Sequence, residues 1–212
     1  MKKSEEKKQP SILLQHDKSF IARGFSSLAG VDEAGRGPLA GPVVASAVIV
    51  RDFSFSAGIN DSKVMSEKAR EWAYAEILEK SLVAVGVVEH HVIDDINVHQ
   101  ASLRAMEEAV MKLKKEPDCI LVDGPKLPKL PFRQFPIING DALSFSIACA
   151  SIIAKVTRDR MMEYYDGLYP GYGFRKHKGY GTREHLEALR KKGPCRIHRK
   201  SFGPVKALWK PY

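Results

Sequence analysis

Leu28-Ala29-Gly30-Val31-Asp32-Glu33-Ala34-Gly35-Arg36-Gly37-Pro38-Leu39-Ala40-Gly41-Pro42, followed by the apolar run from Val43 to Val50, is the stretch that decides the fold. A short apolar run, 28–33, ends in two acids, glycine and proline then break the pattern, and 43–50 reads as a buried strand. Two strands joined by a glycine-rich loop is the economical reading. Working outward, Ser66 is placed to cap a helix over 67–80, and Leu82, Val83, Val85, Val87 and Val88 make a β-branched third strand. Asp94 and Asp95 sit where helix N-terminal acids belong. The helix that follows, about 98–115, puts Leu103, Met106, Val110 and Leu113 on one face, with Glu108 one turn from Lys112.

Further along, 119–122 is a short strand running into the turn Asp123-Gly124-Pro125, and 136–138 suggests another. Asp141 stands before a long apolar segment, 143–156, which reads as an interior helix, and 182–192 gives a last helix stopped by Gly193-Pro194. Strands first, then helix alternating with strand, predict an α/β layer architecture with a helical, basic C-terminal extension.

Composition bounds the class. The 212 residues are 44% hydrophobic with three cysteines, which excludes a disordered chain and a disulfide scaffold. Cys119, Cys149 and Cys195 form no C-x-x-C pair and imply reduced thiols, hence a cytoplasmic chain. No apolar run approaches the ~18 residues of a membrane span, and no signal-peptide core follows the charged start. Residues 1–19 are expected as a flexible tail and 20–212 as a single domain. Nothing in the motifs asks for more than a monomer.

The formal charge of +9 is unevenly spread. Residues 171–212 carry twelve Lys and Arg against only Glu184 and Glu187, interleaved with Tyr172, Phe174, Tyr180, Phe202 and Trp209, while the rest of the chain is nearly neutral. A basic, aromatic-bearing segment of this kind suits a polyanion, although a merely solvated surface has the same composition.

Asp32, Glu33, Asp123 and Asp141 each fall at an expected strand end or helix start, where α/β proteins present side chains to ligands. Taken singly, Asp141 also reads as a cap, Asp123 as a turn residue and Asp32-Glu33 as a surface pair. Brought together they would make an all-oxygen site suited to Mg²⁺ or Mn²⁺ and to displacement at phosphorus. Neighbours on a regular strand point to opposite faces, so Asp32 and Glu33 can share such a site only if the chain bends or one acts through its carbonyl. Gly35-Arg36-Gly37 lets the backbone approach a phosphate or sugar edge, or simply closes a tight hairpin. Tyr180, between two glycines amid Lys and Arg, could stack on a sugar or base, or be a packed loop tyrosine. His90, His91 and His99 read as ordinary surface or core histidines.

In order along the chain, the segment from Gly30 to Pro42, Asn60-Asp61-Ser62-Lys63, Val122-Asp123-Gly124, Gly140-Asp141, Ala150-Ser151-Ile152-Ile153-Ala154-Lys155-Val156-Thr157-Arg158-Asp159, His177-Lys178-Gly179-Tyr180 and Arg199-Lys200-Ser201-Phe202-Gly203-Pro204-Val205 closely resemble bacterial ribonuclease HII, a type 2 ribonuclease H. The resemblance spans about 28–206. It implies an RNase H-like mixed sheet flanked by helices, with a C-terminal helical part that helps grip the duplex. It implies endonucleolytic cleavage of RNA in RNA–DNA hybrids, and incision of duplex DNA 5′ to a single ribonucleotide, giving 3′-hydroxyl and 5′-phosphate ends, in the service of ribonucleotide removal.

Residue by residue, the resemblance makes Asp32, Glu33, Asp123 and Asp141 the catalytic acids that bind Mn²⁺ or Mg²⁺. Gly35, Arg36 and Gly37 match the loop that senses the ribose 2′-hydroxyl, and Tyr180 the tyrosine that packs on the following deoxyribose. Ser62 and Lys63 are expected to hold a backbone phosphate. Asp159, 18 residues beyond Asp141 and so about 27 Å along a continuous helix, is left out of the metal site.

The related ribonuclease HIII is expected to carry a substantial N-terminal domain, for which the roughly 27 residues before Leu28 leave no room. A basic binding module without catalysis would use the same acids only as caps and turns. Another carboxylate–metal nuclease on this fold would have no need of the Gly-Arg-Gly loop and Tyr180.

Overall fold

A computed structural model describes residues 12–209. Five strands form one mixed sheet: β1 (Leu28–Ala34), β2 (Val43–Val50), β3 (Ser81–Val88), β4 (Cys119–Asp123) and β5 (Arg133–Ile137), in the order β3-β2-β1-β4-β5. The first three pair antiparallel, whereas β1–β4 and β4–β5 are parallel. Every residue of β2 is buried because both faces of the sheet are covered. Alternate residues part company there: Val43, Ala45 and Ala47 pack under α3 (His90–Met111), while Val48 and Val50 pack under α2 (Glu67–Lys80) and α5 (Phe145–Leu168).

The 24-residue α5 crosses β1 and β2, and Gly30 makes the crossing possible. A Cβ there would lie 2.1 Å from the backbone carbon of Ser146, so strand and helix touch backbone to backbone. The helix starts at a Ser144 cap, and Asp141 sits just before it in the separate turn α4 (Gly140–Leu143). The continuous helix expected from Asp141 onward is therefore broken at Ser144.

Several boundaries agree with the sequence pattern, including β2, the Ser66-capped α2, and α7 (Arg183–Lys192), which is capped by Thr182 and ends at Gly193 with φ +75°. Others move. The strand expected at 136–138 is β5, and α3 begins at His90 with a kink at Asn97 (φ +66°) rather than at about 98, and it ends at Met111 rather than near 115. The expected tail also needs correction. Residues 1–11 lie outside the described residues, but α1 (Ile12–Ala22) is a helix anchored by the fully buried Asp17. The Asp17 carboxylate accepts hydrogen bonds from Ser144 Oγ (2.6 Å), Ser146 Oγ (2.6 Å) and the Ser146 N–H (2.8 Å), which ties α1 to the start of α5.

The C-terminal part contains α6 (Phe174–His177), α7 and α8 (Gly203–Lys206). It is stitched to the loop after β1: Leu39 N–H donates to Gly179 O, Gly41 N–H to Ile197 O, and Arg199 N–H to Leu39 O. Among the described residues no helix is long and apolar enough to cross a membrane.

Candidate active site

Val31 of β1 lies beside Val122 of the parallel β4, so the next residues, Asp32 and Asp123, emerge together at the carboxyl edge of the sheet. They open into a cleft of about 340 Å³ that all the expected site residues line except Asp141: Asp32, Glu33, Gly35, Arg36, Gly37, Ser62, Lys63, Asp123 and Tyr180. A second hollow of about 360 Å³ shares Glu33, Arg36 and Asp123 and extends over α3 to His99, Ser102 and Met106. Asp141 is buried behind the first cleft and reaches it through Lys63, whose ammonium lies 2.8 Å from Asp141 Oδ2.

The strand-geometry objection is met without a bend before Glu33, since β1 stays in register with β2 as far as Ala34. Asp32 faces α5, where the Ser151 hydroxyl beside it favours the ionised carboxylate, and it accepts the Glu33 N–H at 2.7 Å. Glu33 points toward the α3 side and meets Arg36 at 3.2 Å. The two acids straddle the end of the sheet, and Asp123 borders both hollows.

Burial holds Asp32 well above the usual carboxylate range, reinforced by the charges of Glu33 and Asp123. Burial also raises Glu33, against the opposing pull of Arg36, and raises Asp123, although the Gly140 N–H donated at 2.7 Å works the other way. The hydrogen bond to Asp141 raises Lys63. Among the described residues no three His, Cys, Asp or Glu form a ready-made metal cage. The donor chemistry nevertheless fits a hard divalent cation: all the donors are oxygens, and mutual repulsion among three of them is what a cation would relieve.

The glycine-rich loop is shaped from behind by two buried arginines that have carbonyls rather than carboxylates as partners. Arg199 donates to Gly35 O (2.6 Å), Arg36 O (3.0 Å), Gly41 O (2.9 Å) and Pro42 O (3.2 Å). Arg158 donates to Ala40 O (3.1 Å), Pro42 O (3.0 Å) and Lys178 O (3.0 Å). Burial pushes Arg158 down to about 10 and Arg199 to about 9, the latter also through its neighbour Arg158. In a trans peptide the N–H points opposite to the C=O. With the carbonyls of Gly35 and Arg36 turned inward to Arg199, the N–H groups of Arg36 and Gly37 therefore point away from it. Gly35 has φ +98°, and a Cβ there would strike Arg158 Nε at 2.1 Å, so no other residue fits.

Tyr180 closes the cleft from the other side. Its ring lies over Gly37, where a Cβ would be 3.4 Å from Tyr180 Cε1, and the residue is 44% exposed and so free to meet a ligand. Ser62 Oγ pairs with Ser151 Oγ at 2.9 Å, on the α5 side of the cleft that Asp32 also lines.

Ser151 and Lys155 line the cleft with the expected residues, and Arg158 and Arg199 hold its loop, although the sequence reading gave none of the four a role. A signal was available for three of them: Ser151, Lys155 and Arg158, at i, i+4 and i+7, share one face of α5. Asp159 pairs with Lys155 at 2.8 Å and does not line the cleft.

Comparison with known proteins agrees with this architecture. The family model for ribonuclease HII matches residues 29–205. The ribonuclease HII of Ruminiclostridium cellulolyticum is 52% identical over 191 residues, covering 90% of this chain and 75% of that protein. The Bacillus subtilis ribonuclease HII is 55% identical over 187 residues, covering 88% and 73%. Among solved structures, the ribonuclease H2 of Pyrococcus horikoshii superposes with a TM-score of 0.73 at 25% identity, covering 86% of this chain and 96% of that one. The matched span takes in the acids at the sheet edge, the loop held by Arg158 and Arg199, and Tyr180 opposite it, and the chain belongs to the ribonuclease HII family of ribonuclease H hydrolases.

Proposed function

We propose that this ribonuclease H, an endonuclease of RNA–DNA hybrids, also incises duplex DNA 5′ to a single embedded ribonucleotide, leaving 3′-hydroxyl and 5′-phosphate ends, and that it uses Mn²⁺ or Mg²⁺ to do so. The observation that carries this reading is the shared cleft, in which Asp32, Glu33, Asp123, the Gly-Arg-Gly loop and Tyr180 face one space.

Asp32, Glu33, Asp123 and Asp141 are the residues that would hold the cation. When bound, it supplies the positive charge and Lewis acidity that displacement at phosphorus requires. The chain's own groups select the bond. The N–H groups of Arg36 and Gly37, aimed away from Arg199, are donors for the ribose 2′-hydroxyl, the group that separates RNA from DNA. Tyr180 packs on the deoxyribose that follows, so the pair reads an RNA-to-DNA step. Ser62 and Lys63 take a backbone phosphate, and the basic C-terminal part grips the duplex. The role is removal of ribonucleotides from DNA by a monomer in the cytoplasm, where the free thiols of Cys119, Cys149 and Cys195 are at home.

Asp123→Asn tests the assignment of the acids. It removes a charge without changing shape, so cleavage is expected to fall roughly 100-fold or more while gel-shift binding of the duplex is retained. A variant that cuts at a near-wild-type rate would contradict the assignment.

A further inference from the structure

Behind Tyr180 lies a cluster of three buried histidines that the cleavage chemistry leaves unused. His177 comes from α6, His185 from α7 and His198 from the turn beyond it. The rings of His177 and His185 are stacked with centroids 4.4 Å apart, and Nε2 of His185 is 3.1 Å from Nε2 of His198. A neutral imidazole has one donor and one acceptor nitrogen, so the partners decide where each proton sits.

His198 Nδ1 has the Cys195 N–H as a donor at 2.9 Å and the Cys195 carbonyl at 3.3 Å, and the shorter contact is the one that leaves the His198 proton on Nε2. That N–H donates to His185 Nε2, so the His185 proton is on Nδ1, where it donates to the carbonyl of Tyr180 at 2.9 Å. His177 is fixed in the same way, accepting the Gly179 N–H on Nδ1 (3.2 Å) and donating from Nε2 to Tyr172 O (2.8 Å).

We propose that His198 and His185 are positioning residues for substrate selection: a one-way relay of hydrogen bonds from the Cys195 main chain to the Tyr180 carbonyl that sets the Tyr180 ring over Gly37. The proposal rests on the reading of Tyr180 as the contact to the deoxyribose after the ribonucleotide. The relay has a single direction because the Tyr180 carbonyl requires the proton on His185 Nδ1, and a second proton on His185 Nε2 would set N–H against N–H at His198. The surroundings keep both rings neutral. Burial lowers both, and the groups around them are His177, His90, Tyr172 and the thiol of Cys195, whose Sγ is 3.1 Å from His198 Nδ1 and which burial pushes up to about 11. None of these brings a negative charge that would stabilise an imidazolium.

The experiment compares incision of a duplex with one ribonucleotide against cleavage of an all-RNA–DNA hybrid, in wild type, Tyr180→Ala, His185→Leu, His185→Asn and the Tyr180→Ala/His185→Leu pair. His185→Leu is expected to lower the ratio of the two rates roughly 10-fold or more, as Tyr180→Ala does, because a misplaced contact residue costs on this scale. Asn keeps an N–H near the position of Nδ1 and should restore most of the ratio, and the double variant should fall no further than Tyr180→Ala alone.

If Tyr180→Ala lowers the ratio and His185→Leu does not, the relay is wrong while the Tyr180 reading stands. If Tyr180→Ala leaves the ratio unchanged, the Tyr180 reading fails and takes the proposal with it. Should His185→Leu fail to fold, nitrogen-15 spectra of the wild-type protein at neutral pH decide. Protonation at His185 Nδ1 and His198 Nε2 is expected, and the opposite tautomers would overturn the relay.

Discussion

Gly30 shows how one residue sets the site. It shares a strand face with Asp32, two positions on, so the backbone contact that Gly30 allows with Ser146 brings Asp32 against α5 and Ser151. A methyl group at Gly30 would have to push strand and helix apart. Gly30→Ala is expected to cost on the order of 3 kcal/mol, measured as a lower urea midpoint at an unchanged slope. A cost below about 1 kcal/mol would mean that β1 and α5 separate easily.

At this scale the sequence was legible where chemistry and position coincide. Asp32 and Asp123 stand at strand ends, and the structure sets them on adjacent strands at one edge. The two arginines were not legible as loop holders, because Arg158 and Arg199 bond to carbonyls that carry no side-chain signature. Asp141 was expected to join the other acids, yet in this structure its charge is engaged by Lys63.

Among elements, strands and helices with a clear period were readable, and those defined by distant partners were not. β2 and α2 follow from an unbroken apolar run and a serine cap. α1 does not, since its anchor is a buried aspartate whose serine partner Ser144 lies 127 positions away. The helix expected from 98 is real as the second half of α3, where Asn97 Oδ1 accepts the N–H groups of His99 (3.0 Å) and Gln100 (3.1 Å). The first half escaped notice because Asp94 and Asp95 read only as helix-start acids. Asp94 in fact accepts the N–H groups of Lys200 (2.9 Å) and Ser201 (2.8 Å) and so clips the C-terminal segment to α3.

The elements packed around the three histidines carry a pH dependence. Burial and the neighbouring His185 push His198 down to about 4, from the 6.5 of an unfolded histidine. Between those values the unfolded chain binds a proton that the folded chain refuses, so stability falls as pH drops from about 6.5 toward about 4, and above that window this histidine contributes no pH dependence. From pH 7 to pH 5 the loss from His198 is expected to be about 2 kcal/mol. Urea titrations of wild type and His198→Gln should differ by that amount in their change between the two pH values. Parallel changes would contradict neutral burial of His198.

For the whole molecule, the division of charge along the sequence becomes a division in space. The nearly neutral sheet carries the acids, and the basic C-terminal part is fastened directly to the loop those acids face, through Leu39–Gly179, Gly41–Ile197 and Arg199. On the proposed function, a duplex gripped by the basic part would thereby be held in register with the cleft. The overall α/β order was legible because strand and helix periods alternate along the chain. The docking of the C-terminal part onto residues 35–42 was not, since it depends on hydrogen bonds to main-chain groups about 140 to 160 positions away.

The most direct measurement is incision of a duplex carrying one ribonucleotide, with an all-DNA duplex of the same sequence as control, in Mg²⁺, Mn²⁺ and EDTA. The predicted result is a single cut 5′ to the ribonucleotide with either metal, none in EDTA and none in the control. Cutting in EDTA would contradict the metal role of the acids, and cutting of the all-DNA duplex would contradict selection by the 2′-hydroxyl.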